Sequence, residues 1–209
     1  MNGLYSLKPW FAERLAHVRR GLVERGVRPA VLTWAGVAFG AGAGVAIALV
    51  PMGPLAGVLV AVLLVARLAC ANLDGGVARD SGRSTRFGFV VNELGDRLAE
   101  FAVLTGCLFV APSAVVLAAA LAATLPSWVS LAGTAAGARR VQGGPVGKTE
   151  RCALLIVLAA TGAAVPVLFL LAVGSLITAV VRLVRVARAL SETDEASAEA
   201  EYAAAGTLS

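Results

Sequence analysis

Two neighbouring apolar stretches carry charges where charge is expensive. The first, 55–79, holds Arg67 and then NLDGGVAR, with Asp74 and Arg79 near its end. The second, 87–110, holds NELGDRLAE, with Asn92, Glu93, Asp96, Arg97 and Glu100. Ionisable residues within a hydrocarbon-spanning segment mark function by default. As helices, the second stretch puts Asn92, Asp96 and Glu100 on one face, and the first does the same for Arg67, Ala71 and Asp74. Gly75 and Gly76 leave bare backbone beside Asp74. Carboxylates converging from two helices beside an amide oxygen suit a hard cation such as Mg²⁺, held by few protein groups plus substrate phosphates. Phosphoryl transfer uses that arrangement: metal neutralises pyrophosphate charge, and a positioned base activates an alcohol. The same residues also read as buried ion pairs without catalysis, Arg67 with Glu100 above all.

The elements that must position these groups are set by composition. The chain has 209 residues, 58% hydrophobic and 15% charged, with a mean hydropathy of +0.83. A soluble domain is nearer ~45–50% apolar and ~25% charged. Backbone in hydrocarbon must satisfy itself as helices or a closed barrel. The apolar blocks are rich in Ala, Val, Leu and Gly without period-2 alternation, so helices are expected. The pattern predicts an all-α integral membrane protein of six spans, 29–50, 55–79, 87–110, 115–138, 152–164 and 167–181. Some are short against the usual ~20 residues, so flanking residues must complete them. The Gly-rich stretch FGAGAGVA in the first span lets helices approach closely.

The ends differ from the bundle. In residues 1–28, Leu4, Leu7, Trp10, Phe11, Leu15, Val18 and Leu22 recur at helical spacing among Arg and Lys. That predicts an amphipathic helix in the membrane interface, or one packed on the protein's own loops. No apolar core precedes its charges, so it is not read as a signal peptide. Residues 29–190 form the membrane domain. The last span is expected to continue as a charged helix through Arg188, and the acidic tail 191–209 to be disordered or loosely helical. The formal net charge is +5, and Lys and Arg fall on one side of the predicted topology. The opposite turns, PMGP, APSA and AAVPV, are uncharged. The positive-inside rule then puts both termini in the cytoplasm, and this distribution argues for a membrane surface and against nucleic acid. Cys70, Cys107 and Cys152 make no metal or redox pair and read as small core residues. His17 is the one histidine, in the interfacial helix, so His-based catalysis is not expected.

A second cluster is the basic loop RRVQGGPVGKTER, with Arg139, Arg140, Lys148 and Arg151. Its turn residues hold cations near the membrane surface. Cations beside bare backbone bind phosphate, which points to an acceptor alcohol carrying a phosphate. Equally, such loops set topology and touch anionic lipid. Arg182, Arg185 and Arg188 read as topology and lipid-surface charges.

The stretch from Asp74 to Asp96, DGGVARDSGRSTRFGFVVNELGD, resembles the signature of the CDP-alcohol phosphatidyltransferases, D-x2-D-G-x2-A-R-x8-G-x3-D-x3-D. Asp74, Gly75, Ala78, Arg79, Gly88 and Asp96 fall in register. The first aspartate of the signature falls on Ala71 and the third on Asn92. PAVLT at the first span and GPVGKTER at the fifth also resemble the family, so the likeness covers most of the chain. LYSLKPWF, NELGD and RR…GPVGK are similar to a bacterial branch that shares both departures. The resemblance implies transfer of a phosphatidyl group from CDP-diacylglycerol or another CDP-alcohol to an acceptor alcohol, with release of CMP. It implies Mg²⁺ or Mn²⁺, a homodimer, and a site on the cytoplasmic side of a bacterial inner membrane. Carried over, Asp74 and Asp96 are metal ligands, with Asn92 and, more weakly, Glu93 and Glu100 beside them. Asp96 is also the candidate base. Thr33, Asp74, Gly75, Ala78, Arg79 and Gly88 line the CDP-lipid site, and Lys148 matches a family lysine. Ala71 cannot ligate and Asn92 offers a neutral oxygen. Weaker metal binding, one metal in place of two, or a non-catalytic relative that binds a CDP-lipid or a partner enzyme all remain open.

Overall fold

The structure is a computed structural model that describes residues 13–206. Those residues form seven helices: α1 (Ala16–Glu24), α2 (Pro29–Leu49), α3 (Pro54–Asp80), α4 (Arg86–Cys107), α5 (Ser113–Ala135), α6 (Lys148–Thr161) and α7 (Ala164–Gly206). Residues 1–12, which hold half of the expected amphipathic segment, lie outside the described residues. Four helices, α2, α3, α5 and the Ala164–Thr193 part of α7, are long and apolar enough to cross a membrane. The chain is therefore membrane-embedded and all-helical. Two of the six expected spans fall short of that measure for physical reasons. α4 has 22 residues, but Glu93, Asp96, Arg97 and Glu100 interrupt its apolar run. α6 has 14 residues, about 21 Å at ~1.5 Å per residue.

Helix ends follow from local chemistry. Pro29 and Pro54 open α2 and α3 at positions where a missing N–H is harmless. Thr85 caps α4 by accepting a hydrogen bond from the Gly88 N–H at 2.9 Å. Glu150 folds back to accept from the Gly147 N–H at 3.0 Å and so starts α6 at Lys148. α6 stops at Gly162, whose φ of 74° is a left-handed cap. α7 runs on through the acidic tail, so the backbone there is helical as far as Gly206.

α2 packs against both α3 and α4 and stands between them, while α5 packs on α7 and α6 bridges α3 and α7. Small residues make the α2–α4 crossing possible. A Cβ on Gly40 would come within 2.7 Å of the Ala99 carbonyl oxygen, and one on Gly44 within 2.2 Å of that of Ala102. Gly106 meets Gly44 in return. The glycine stretch of the first span is thus a backbone-to-backbone contact. The apolar core, including Ile47, Val60, Leu64, Val103, Leu158 and Leu168, fills the end of the bundle away from the charges. Leu49, Leu55, Val62, Leu121 and Phe169 are exposed, as lipid-facing side chains are. α1 does not lie free: Leu15, Leu22 and Val23 pack on Leu32, Leu73 and Val77. Arg19 bonds Asp80 at 2.7 Å.

Candidate active site

Where α3 ends and α4 begins, the two helices part and a cavity of about 1390 Å³ opens between them and the 139–147 loop. α2 sets the spacing. The Thr33 methyl rests where a Cβ on Gly95 would be, 2.5 Å away. From there the Thr33 hydroxyl donates to Asp74 Oδ2 at 3.1 Å. A side chain at position 95 would push α2 off α4 and take Thr33 away from Asp74. Asp74 is buried. Its Oδ1 also meets the Gly75 N–H at 2.5 Å and the Asn92 amide nitrogen at 3.4 Å.

Asp96 lines the same cavity, one turn along α4 from Asn92, and its carboxylate is ion-paired with Lys148. A void of about 10 Å³, near the volume that holds one water, separates Asp74 and Asp96. Ala71, Thr33, Arg67 and Gly95 are among its other walls. The residue on which the signature's first aspartate falls thus faces the gap between the two remaining carboxylates.

The cavity brings together Thr33 of α2 and Asp74, Gly75, Ala78 and Arg79 of α3 with Gly88, Asn92, Glu93 and Asp96 of α4. Arg140, Lys148 and Arg151 reach it from the basic loop and α6. Three expectations change. Glu100 does not line the cavity: it is buried, accepts from Arg151 Nε at 2.5 Å and pairs with Arg97. Arg67 does not pair with Glu100. Its guanidinium donates to the Asp96 carbonyl at 3.2 Å and to Cys152 Sγ at 3.5 Å. Arg139 is exposed and does not line the cavity. Glu93 does face the cavity, engaged by Arg140.

One residue that matters was read as a lipid-surface charge. Arg182 on α7 donates to the carbonyls of Gly143 at 2.9 Å and Pro126 at 2.8 Å, and to the Ser130 hydroxyl at 3.1 Å. It straps the loop to α5 and α7. Arg185 adds a bond to the Gln142 carbonyl at 3.2 Å, and Thr178 holds Val146 through its N–H at 2.9 Å. The signal was present: Arg182 interrupts the run AVVRLV, the same anomaly that singled out Asp74 and Asp96.

The donor set fits a hard divalent ion with few protein ligands. Asp74 and Asp96 supply two carboxylates and Asn92 an amide oxygen, which leaves positions for water and phosphate oxygens. Among the described residues no group of three or more His, Cys, Asp or Glu side chains is placed to hold a metal ion. The three cysteines are buried and free.

No family model matches the chain. It is 35% identical over 200 residues to the phosphatidylinositol phosphate synthase of Corynebacterium glutamicum, covering 88% of each chain. It is 29% identical over 150 residues to the Escherichia coli inner membrane protein YnbA, covering 71% of this chain and 74% of that one. Among solved structures it is similar to Mycobacterium tuberculosis phosphatidylinositol phosphate synthase with CDP-DAG bound. That match has a TM-score of 0.61 and 28% identity over 81% of this chain and 91% of the other. The same enzyme in complex with manganese and citrate gives a TM-score of 0.63 and 27% identity, over 81% and 87%.

Proposed function

The chain belongs to the CDP-alcohol phosphatidyltransferase family, and on that premise we propose that it moves a phosphatidyl group from a CDP-linked lipid such as CDP-diacylglycerol to an acceptor alcohol, releasing CMP. One observation carries this reading. A single cavity holds Asp74, Asn92 and Asp96 against Gly75, Ala78 and Arg79, with Arg140 and Lys148 opposite. One relative, solved with CDP-DAG and again with manganese and citrate, supports the donor and the metal.

Asp74, Asp96 and Asn92 hold Mg²⁺ or Mn²⁺, which when bound neutralises charge on the donor's diphosphate. Thr33 fixes the Asp74 carboxylate by its hydrogen bond. Gly75 and Ala78 keep the α3 wall low enough for a nucleotide, with Arg79 and Gly88 at the rim. Asp96 takes the proton of the acceptor hydroxyl. The acceptor oxygen then forms a bond to the lipid-bearing phosphorus, and the bond from that phosphorus to the CMP oxygen breaks. Arg140 and Lys148 bind an acceptor phosphate. The chain crosses a bacterial inner membrane six times, both termini and the cavity facing the cytoplasm, as the one-sided Arg and Lys support. A second reading, a relative that binds CDP-lipid without turnover, is favoured by Ala71 and Asn92, which leave two carboxylates facing the cavity's metal position.

The test is CMP release by the purified protein with CDP-diacylglycerol, Mg²⁺ or Mn²⁺ and a panel of acceptors, phosphorylated and not. Release that Asp96→Asn abolishes is expected, and the acceptor that supports it identifies the product. Binding of CDP-lipid with no release for any acceptor or metal selects the second reading.

A further inference from the structure

Three carboxylates on α4 are engaged in order by three cations from the loop and α6. Glu93 pairs with Arg140, Asp96 with Lys148, and Glu100 with Arg151. The spacing along α4 keeps all three on the side facing the loop. α4 packs on α2, whereas α6 packs on α3 and α7, so these side chains bridge two parts of the bundle across the cavity. The loop backbone is held independently by Arg182, Arg185 and Thr178. The pairs can therefore part without the loop leaving its place.

The rungs differ in access. Glu100 and Arg151 keep 6% and 5% of their side-chain surface exposed. Asp96 and Lys148 keep 24% each, and Glu93 and Arg140 keep 16% and 32%. A deeply buried pair cannot lose a partner cheaply, while a pair that borders solvent can exchange one. The outer two rungs are also electrically closed: two cations neutralise two carboxylates. Counted over these two rungs, a dianion alone would leave two surplus negative charges and a divalent cation alone two surplus positive ones. Entering together they leave none, with the dianion on the two protein cations and the divalent cation beside Asp96.

We propose that the outer two rungs are an anion-released lock on Asp96. A phosphate monoester on the acceptor draws Lys148 and Arg140 off their carboxylates and frees Asp96 for the divalent cation and the proton. Lys148 thus couples acceptor to metal. This rests on the transferase reading above, but it is tested by binding alone.

The experiment uses the full chain in detergent, without CDP-lipid, and follows free Mn²⁺ by electron paramagnetic resonance. Sulfate serves as the probe dianion. Sulfate is expected to tighten Mn²⁺ binding by roughly ten-fold, and Mn²⁺ to tighten sulfate by the same factor. In Lys148→Met, Mn²⁺ binds without sulfate as tightly as in the wild type with it, and sulfate adds nothing. Arg140→Gln gives the same direction with a smaller change and serves if Lys148→Met does not fold. Arg83→Gln controls for lost charge: Arg83 lines the cavity but bonds the Gly26 carbonyl at 3.0 Å, so sulfate coupling persists in that variant. Sulfate that leaves Mn²⁺ affinity unchanged or weakens it overturns the lock. So does Lys148→Met binding Mn²⁺ no more tightly than Arg83→Gln. Lys148-dependent tightening by CDP with none by sulfate overturns the acceptor assignment. Because no turnover is measured, an inactive protein can still show the coupling, and an active one can lack it.

Discussion

Glu100→Gln separates a structural carboxylate from a ligand. Glu100 is 5% exposed and lies between Arg151 Nε at 2.5 Å and the Arg97 guanidinium. The amide keeps the shape and removes the charge, so two guanidinium groups lose their shared counterion. Breaking a buried pair by removing one partner costs about 3–5 kcal/mol. For a chain of this size ~1 kcal/mol moves the midpoint by ~2–4 °C, so a fall of roughly 6–20 °C is expected. The buried thiols of Cys70, Cys107 and Cys152 provide the assay: a thiol-reactive fluorophore in detergent reports their exposure as the bundle melts. The double variant Glu100→Gln/Arg151→Met should recover part of the loss, since replacing both partners spares the uncompensated charge. Mn²⁺ affinity of the folded protein should hold. A Glu100→Gln protein that melts with the wild type, yet no longer binds Mn²⁺, would refute the assignment and return Glu100 to the metal.

The other expectations concern the crossing and the gap. Gly44→Val forces a side chain to within 2.2 Å of the Ala102 carbonyl oxygen and should abolish folding or cost several kcal/mol, while Gly42→Val, whose nearest neighbour is the Leu63 side chain at 3.6 Å, should melt near the wild type; equal midpoints would remove the α2–α4 contact as the organiser of the site. Ala71→Asp places a carboxylate at the void between Asp74 and Asp96 and should tighten Mn²⁺ binding about ten-fold or more, since affinity for hard cations follows ligand charge. Mn²⁺ titration with no change in affinity or stoichiometry would mean that the new carboxylate pairs with Arg67 instead.

The apolar blocks made the helices legible, because runs of Ala, Val, Leu and Gly have no other way to satisfy their backbone in hydrocarbon. α2, α3 and α5 begin and end within a few residues of expectation. Asp74, Asn92 and Asp96 were legible for the converse reason, as polar groups where polarity is costly. Ion-pair partners were not. Arg67 reads as the natural partner of Glu100, since both are deep and on consecutive helices. But α2 stands between α3 and α4, and Glu100 turns to Arg151 from a helix 51 positions on. Sequence spacing fixes faces of a helix and says nothing of which distant helix a face meets. Arg182 was misread because it lies near the end of a span, where a charge looks like a topology signal. Its three acceptors come from the loop and α5.

Depth along α4 sorts carboxylates that look alike in NELGDRLAE. Glu100 is farthest in, and burial commits it to Arg151 and Arg97 as part of the fold. Glu93 is at the rim beside Arg140, whose guanidinium also lies 5.2 Å from the centre of the Phe89 ring. Asp96 lies between, across a small void from Asp74 and paired with Lys148 at the edge of the cavity. A single helix thus presents one carboxylate buried in the fold and two that line the cavity. The inner rung ties α4 to α6. Gly40 and Gly44 bring α2 and α4 into backbone contact, and the Thr33 methyl seated against Gly95 fixes their spacing beside Asp74. The residues that set the crossing and those that line the cavity therefore belong to the same runs of sequence.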